Sequence, residues 1–349
     1  MKLRATWAMT VLGGCLTSLS GGLTAQVDFV PRPAVLDFEV GARNAGAGGA
    51  MEATMNAELG DVLGAGVLLD STHANQIHLS FVDYFAGISL GSAMAAYYIE
   101  GTGLSLQTGI RYLSMGSFDE TSTAGASLGQ FSGGEVAWVS GATYAVDSIW
   151  TVGVNLALGQ SFLYSRSLLF AQTELALSRV DRARKLRVTA SVRPWGASSS
   201  GDETVASGRF AADARLALSK GFEKAPFILH AVYENLQTWD LSPAGIYDDE
   251  IDPLTGDTLA NSTWATGDRA MRHLRLGTEI AFSKNLHFRA GYDHRRRSEL
   301  KLAGAPGTAG FSWGFGYQTK RFVFEYGRAT YHAAGPSNHI AIRTQLRGR

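Results

Sequence analysis

This chain of 349 residues has one cysteine, few long apolar runs and no excess of either charge. The single cysteine is Cys15, so no disulfide can form within the chain. Lys and Arg together number 31, as do Asp and Glu, which argues against the basic surface that binds nucleic acid. After residue 25 there is no run of 18 apolar residues, so no membrane-spanning helix is predicted.

The first 25 residues have the layout of a secretory signal peptide. The basic start MKLR is followed by an apolar stretch from Ala5 to Leu19 and by small residues before Gln26. This layout predicts export, cleavage of residues 1–25 and a mature chain that begins at Gln26. Cys15 follows two glycines, so a lipoprotein signal that lipidates this cysteine stays an open alternative.

Glycine and aromatic residues are plentiful: there are 41 Gly, 7 Trp, 12 Tyr and 17 Phe. Many lie in segments that alternate between apolar and polar residues, as in LSLQTGIRYL at residues 104–113. There Leu106 and Ile110 share one face, whereas Gln107 and Arg111 share the other. Segments 273–282 and 286–293 repeat the pattern. A charged face is costly in a dry core but normal toward a wet lumen, with the apolar face toward lipid.

This alternation predicts an all-β fold, a transmembrane antiparallel β-barrel of about 14 strands. Tilted membrane strands need roughly 9 to 11 residues, and an even number of strands closes without a free edge. A soluble all-β protein is the structural alternative. The predicted strands lie near 76–84, 87–98, 103–113, 134–144, 148–158, 168–178, 185–193, 209–219, 226–236, 271–282, 286–296, 310–320, 321–331 and 338–347.

The segment before the first strand is predicted to pack inside the barrel. Residues 35–69 are rich in Ala, Gly, Met and Asn and show no period of two. A barrel of this size would otherwise leave an open lumen. The sequence therefore divides into a signal peptide (1–25), an N-terminal segment in or against the lumen (26–75) and an outer-membrane barrel (76–349).

Two long polar connections, Tyr112 to Ser132 and Asp240 to Arg269, are predicted to be extracellular loops. Binding residues concentrate in such loops, and aromatic anchors ringed by polar groups can dock a partner. Alternatively, the loops only cap the lumen. The candidate docking residues are Phe118, Asp119, Glu120, Tyr247, Asp248, Asp249 and Trp264.

No catalytic, metal or cofactor site is predicted. Ser127 lies in GASLG, which matches the GxSxG elbow of hydrolases, but the required strand before it and helix after it are not expected here. The eight histidines are dispersed without metal-ligand spacing. An acidic patch could hold calcium loosely, although its spacing is not that of an EF-hand and a solvated loop is the simpler interpretation. The patch comprises Asp248, Asp249, Asp252 and Asp257.

The strongest cluster of like charge is Arg295, Arg296 and Arg297. One interpretation is a strand end at the level of the lipid headgroups. The other is a contact with the phosphates of lipopolysaccharide, because the guanidinium fork suits phosphate.

Several long runs of sequence resemble the PorQ family of type IX secretion components. They are LSKGFEKAPFILHAVYENLQTWDLSP at 218–243, SKNLHFRAGYDHRRRSELKL at 283–302, KRFVFEYGRATYHAAGPSNHI at 320–340 and the segment from Gly109 to Phe131. The resemblance covers most of the chain after Phe38. Two departures are the lack of a proline after Gly46 to Gly49 and the lack of an aromatic residue at the C-terminus.

The resemblance implies a barrel of the fatty-acid-transporter type in the outer membrane, without catalytic activity. It implies partners among other type IX secretion components, a surface protein of the PorZ kind, membrane lipid and lipopolysaccharide. The expected function is to hold that surface partner while secreted cargo is processed and anchored. A second hypothesis, from the barrel type and the apolar N-terminal segment, is an outer-membrane transporter of small hydrophobic molecules.

Overall fold

The computed structural model describes residues 29–63, 66–202, 204–243, 246–247, 250–251, 258–259, 265–301, 307–332 and 335–346. The predicted signal peptide, Gln26 and Cys15 lie outside these ranges. So do the predicted site residues Asp248, Asp249, Asp252, Asp257 and Trp264.

The chain folds into a closed antiparallel β-barrel of fourteen wall strands, as the alternation predicts. β1 pairs with both β2 and β18, and β5 pairs with β6, so the wall has no free edge around its circumference. β7 and β8 pair with successive halves of β6, so together they count as one wall strand. β10 pairs with β7 and β9 pairs with β8, so β9 and β10 likewise count as one. β12 and β13 pair with each other in a separate two-stranded antiparallel sheet.

The strands are β1 Gln76–Asp83, β2 Ser89–Ile99, β3 Leu104–Thr121, β4 Ser127–Ala145, β5 Trp150–Leu163, β6 Arg166–Asp181, β7 Leu186–Arg193, β8 Gly196–Ser199, β9 Gly208–Arg209, β10 Asp213–Gly221, β11 Phe227–Tyr233, β12 Glu250–Ile251, β13 Thr258–Leu259, β14 Leu274–Ala281, β15 Leu286–Asp293, β16 Phe311–Gln318, β17 Phe322–His332 and β18 Gly335–Gln345.

The predicted side-chain orientations are confirmed in β14 and β15. Leu276 is exposed on the outer face, whereas Arg275, Glu279 and Arg289 are buried in the interior. The outer face is therefore apolar and the interior charged, which is the pattern of a barrel in lipid. Within the described ranges no helix is both long enough and apolar enough to cross a membrane.

The segment ahead of β1 lies inside the barrel as a plug. It contains short helices at Ala34–Asp37 and Ala42–Gly46 and single 3₁₀ turns at Asp61–Leu63, Gly66–Leu68 and Ser71–His73. The helix Ala42–Gly46 is buried and packs against β15 to β18. Glycines make this approach possible, because a Cβ on Gly291 would overlap the backbone of Ala47 and Gly48.

The expectation of a long loop from Tyr112 to Ser132 is wrong. β3 and β4 continue past the barrel rim as a two-stranded ribbon, and only residues 122–126 form its turn. Ser127 begins β4, so no helix follows it and the hydrolase elbow is absent. Outside the membrane no lipid selects for apolar residues on one face, so the alternation between apolar and polar residues ends there. The polar sequence was therefore predicted as a loop, although the strands continue.

Arg295 to Arg297 do not stand at a strand end. β15 ends at Asp293, whose carboxylate accepts a hydrogen bond from the Arg296 backbone N–H and caps a helix at His294–Leu300. The predicted strand 286–296 was therefore too long by this helical turn.

Candidate functional site

The two ends of the barrel differ in the length of their connections. At one end, residues 100–103, 146–149, 182–185, 222–226, 282–285 and 319–321 are short turns. The other end carries the β3–β4 ribbon, the connection from β11 to β14 and the helix His294–Leu300. Since bacterial barrels have short periplasmic turns and longer extracellular loops, the second end is assigned to the cell exterior.

Buried ion pairs fasten the plug to the wall. Arg43 of the plug pairs with Asp61, also in the plug, and with Glu279 of β14 at 3.1 Å between Nη2 and Oε2. Arg289 of β15 donates to the same Glu279 at 2.6 Å and pairs with Glu325 of β17. A guanidinium group that binds two carboxylates holds the two segments that carry them in a defined orientation.

A second group of ion pairs holds the middle of the plug. Glu52 accepts from Arg215 of β10 at 2.8 Å and from Arg275 of β14 at 3.2 Å. Arg187 of β7 donates to the carbonyl oxygens of Thr54 and Val67. The plug is thus bonded to several strands around the barrel, and its contacts close much of the lumen.

A charged cavity of about 270 Å³ remains between the plug and the wall toward the extracellular end. Seven arginines and five carboxylates line it, an excess of positive charge. Burial raises the pKa of Glu39 in the plug despite the opposing charge of Arg111. The Nε atoms of Arg32, Arg111 and Arg275 have no hydrogen-bond partner there.

An apolar cavity of about 290 Å³ adjoins the charged one. Phe38 of the plug and Tyr84, at the end of β1, form part of it, with ring centroids 5.0 Å apart. The Arg296 guanidinium lies 4.1 Å from the ring centre of Tyr331 and lines both cavities. The two cavities together can accept a small molecule with an apolar body and an anionic end.

The three predicted lipopolysaccharide contacts are bonded within the protein. Arg296 pairs with Asp293 as well as lying over Tyr331, and Arg295 pairs with Glu299 at 3.0 Å. Arg297 lies over Phe311 and donates to the Gly307 carbonyl at 3.0 Å. The ring contacts of Arg296 and Arg297 fix the helix His294–Leu300 to the barrel rim. A contact with lipopolysaccharide stays a prediction.

Three of the predicted docking residues lie on the ribbon. Phe118 stacks on Phe131 at 5.4 Å between ring centroids, and Phe131 meets Tyr164 edge-on at 5.2 Å. The Tyr164 hydroxyl donates to Glu120 at 3.0 Å, and Gln130 donates to Asp119 at 2.8 Å. These contacts tie the ribbon to the β5–β6 turn.

Tyr247 lies in the other predicted docking loop, the connection from β11 to β14. On the shorter way around the barrel, four wall strands lie between this connection and the ribbon. Its hydroxyl donates to Asp268 at 2.7 Å, and the Arg269 guanidinium lies 4.6 Å from its ring centre. Asp268 also accepts from Arg272 and His294 at 2.7 Å each. Burial alone would raise the pKa of Asp268, but these hydrogen bonds lower it to about 2.

Sequence reasoning missed both cavities. Their lining comes from distant parts of the chain, so no local motif marks them. The only signal was the row of inward arginines, among them Arg111 and Arg275. Among the residues that the structure describes there is no group of three side chains able to hold a metal ion.

No protein-family model matches the chain, and no curated protein matches its sequence. Among solved structures, the chain is similar to a deltaS2 mutant of the TodX monoaromatic hydrocarbon channel, with 14% identity and a TM-score of 0.51 over 90% of this chain and 100% of that one. It also aligns with the toluene transporter TodX of Pseudomonas putida, at 11% identity and a TM-score of 0.48 over 91% and 98%. A FadL homologue of Pseudomonas aeruginosa aligns at 9% identity and a TM-score of 0.46 over 92% and 100%. The first of these matches shows a shared fold.

Proposed function

We propose that this protein is a non-enzymatic outer-membrane component of a type IX secretion and attachment machinery, and that it holds a surface partner of the PorZ kind. The observation that carries this proposal is the plug, which buried ion pairs bond to strands around the barrel. The runs of sequence that resemble the PorQ family support it as well. In this function the barrel is an anchor in the membrane, and its extracellular parts do the binding.

The chemistry of the lumen favours an anchor over a passage for hydrocarbons. Arg43, Arg187 and Arg289 are among the buried interior residues, and each binds the plug or a neighbouring strand. An apolar solute gains little by entering a space lined with ion pairs, because its surface stays in contact with polar groups. To open such a path, the plug would have to give up buried charge pairs.

The ribbon supplies a surface suited to a partner. It extends beyond the barrel rim, and the aromatic side chains of Phe118 on the ribbon and Tyr164 in the adjoining β5–β6 turn are exposed. Exposed aromatic side chains held in place by neighbours are the usual anchors of protein interfaces. Asp119 and Glu120 beside them supply a polar rim.

Transport of small amphipathic or hydrophobic molecules is the second candidate function. The adjoining cavities lined by Phe38, Tyr84 and Arg296 support it, since they offer an apolar site next to a cationic one. The comparisons support this function more directly than the first, because the structure matched at a TM-score of 0.51 is named as a monoaromatic hydrocarbon channel.

Affinity purification from outer membranes tests the first proposal. The natural chain, solubilised in mild detergent, is expected to carry a surface protein in fixed ratio. A matched chain in which a short Gly-Ser linker replaces residues 119–128 serves as control for the docking ribbon. Recovery of the barrel without any companion from native membranes would contradict the proposal.

A further inference from the structure

The periplasmic rim of the barrel is divided into a basic part and an acidic part. The basic part, which we term the basic arc, consists of four turns that follow one another around the wall: 182–185, 222–226, 282–285 and 319–321. The arc contains one acidic residue, Glu223, and its basic residues are all exposed: Arg182, Arg184, Lys185, Lys224, Lys284, Lys320 and Arg321. The two remaining turns, 100–103 and 146–149, contain Glu100 and Asp147 and no basic residue.

The positive charge of the basic arc is largely uncompensated within the protein. Lys185 donates to the Phe222 carbonyl at 3.3 Å, and such an acceptor holds a cation in place without neutralising it. Among the residues of the arc, all of which the structure describes, Arg184 alone has an ion pair, with Asp181 at 3.7 Å. A surface of this kind attracts acidic groups from the periplasm.

An apolar pocket of about 350 Å³ opens within the basic arc. Its large apolar side chains come from the β10–β11 turn, from β11 and from the plug: Phe222, Pro226, Phe227, Ile228 and Met55. The ring centroids of Phe222 and Phe227 are 5.0 Å apart, so aromatic groups border the pocket. An apolar pocket ringed by polar groups is the usual site for one buried anchor side chain of a partner.

The pocket lies on the lumen side of the wall strands, away from lipid. Ala281 of β14 and His287 of β15 are cross-strand partners, and they share the inner face with the buried Glu279. Asn56 of the plug also lines the pocket, and its carbonyl accepts from Arg43 at 2.8 Å. This bond fixes the plug side of the pocket before any partner binds, which lowers the cost of binding. Membrane lipid meets only the outer face of these strands, so the pocket is reached from the periplasm.

We propose that the basic arc and its pocket bind an acidic, extended segment of a periplasmic protein, with one large apolar side chain of the segment in the pocket. Carboxylates on one side of that side chain contact Arg182, and those on the other side contact Lys284 and Arg321. The phosphates of inner-leaflet lipid would suit the arc alone, whereas a protein segment uses both the charge and the pocket. This partner is separate from the surface partner proposed above, because the two bind on opposite sides of the membrane.

Fluorescence anisotropy with labelled peptides and the natural chain, purified in a nonionic detergent, tests the proposal. The probe is a short peptide of Asp and Glu around one central Trp. It is expected to bind, and exchanging its Trp for Ala should weaken binding about tenfold, because the pocket then stays empty. A peptide with Lys in place of the acidic residues should not bind, and added NaCl should weaken binding of the acidic probe.

Two pairs of variants locate the site. Ala281→Trp fills the pocket and is expected to weaken binding of the probe about tenfold. Ala145→Trp is its matched control, because Ala145 is also the last residue of a strand and faces the lumen, next to an acidic turn. Lys284→Glu in the arc is expected to weaken binding about fivefold, whereas Lys301→Glu, the same change at the extracellular end, should bind like the natural chain.

The peptide comparison uses the unsubstituted protein, so it stands even where a variant fails to fold. Equal binding of the Trp and Ala peptides, or unchanged binding by Ala281→Trp, would overturn the pocket as the anchor site. Unchanged binding by Lys284→Glu at low salt would overturn the role of the arc. Binding of soluble dihexanoyl phosphatidylglycerol without binding of the acidic probe would show that the arc contacts lipid, and it would overturn the proposal as a whole.

Discussion

Buried arginines are the residues on which the plug depends most. Arg43 lies between Asp61 and Glu279, and all three side chains are almost fully buried. Replacing Arg43 with Met leaves the buried Asp61 without its cation, whereas Glu279 keeps Arg289. Breaking a buried ion pair in this way costs about 3 to 5 kcal/mol. Urea unfolding followed by heat-modifiable gel mobility is expected to show this loss.

Arg184→Met is the matched control for that measurement. Arg184 pairs with Asp181 at 3.7 Å, and its side chain is 78% exposed. Exposed pairs contribute about 0 to 1 kcal/mol. Equal midpoints for the two variants would show that the ion pairs of Arg43 contribute no more than an exposed pair.

Asp268 gives the extracellular end a defined pH dependence. Its pKa in the folded protein is about 2, below the roughly 3.9 of an unfolded chain. A lowered carboxyl pKa contributes stability that is present above the unfolded value and is lost as the pH falls through the folded one. The hydrogen bonds to Tyr247 and His294 should therefore persist from neutral pH down to about pH 4 and fail near pH 2.

Asp268→Asn is expected to produce the same loosening at neutral pH, since the amide carries no charge. Hydrogen exchange in the helix Ala265–Met271 measures it. Faster exchange in the variant than in the natural chain at pH 7 is the expected result, and identical exchange would show that the carboxylate does not hold this helix.

At the scale of secondary-structure elements, the plug and the wall meet through glycines. A Cβ on Gly291 would overlap the plug backbone at Ala47 and Gly48, whereas one on Gly91 would meet only the Ser80 carbonyl at 3.9 Å. Gly291→Val should therefore displace the plug and raise the permeability of the barrel. The conductance of single barrels in planar bilayers measures this.

Gly91→Val is the control in the same experiment, and it is expected to conduct like the natural chain. An equal conductance for both variants would mean that the plug does not limit passage. Gly277 also packs on the plug, since a Cβ there would lie 2.6 Å from the Ala47 carbonyl. For that reason we expect Arg at Gly277 to displace the plug as well.

The ribbon is the element expected to bind the surface partner. A Gly-Ser linker in place of residues 119–128 removes Asp119 and Glu120 and the turn between the ribbon strands, while the barrel strands below stay intact. The barrel should still reach the outer membrane, judged by heat-modifiable mobility, and the partner should appear in the medium. A partner that stays cell-bound in this strain, and in one with residues 244–262 replaced, would place docking elsewhere.

The sequence predicted the wall strands well because lipid and a wet lumen impose opposite chemistry on successive residues. β14 is an example, with Leu276 outward and Arg275 inward. The ribbon lies outside lipid, so its alternation carries no such constraint and it was predicted as a loop. The helix at His294–Leu300 depends on a cap by Asp293, a local signal that the strand pattern obscured.

The candidate site could not be predicted to the same degree. Its ion pairs join residues far apart in the chain, such as Glu52 and Arg275. A row of inward arginines indicates a charged lumen but not which carboxylates of the plug they bind. The two cavities are the space left over after that packing, so they follow from the fold and not from a motif.

At the scale of the whole molecule, the structure is a closed barrel whose lumen holds a bonded plug, and both proposed functions start from this architecture. The two proposed functions differ in what the cell loses without the protein. An anchor for a surface partner is needed for processing of exported cargo, whereas a transporter is needed for uptake of its substrate. Both losses can be followed in the same strain.

The most direct measurement is therefore a deletion strain in which cargo processing and uptake are followed together. We expect exported proteins to keep their uncleaved C-terminal signals while uptake of a labelled toluene or fatty-acid probe is unchanged, and re-expression of the natural chain should restore processing. Normal cargo processing together with reduced uptake of the probe would contradict the anchor function and establish the barrel as a transporter.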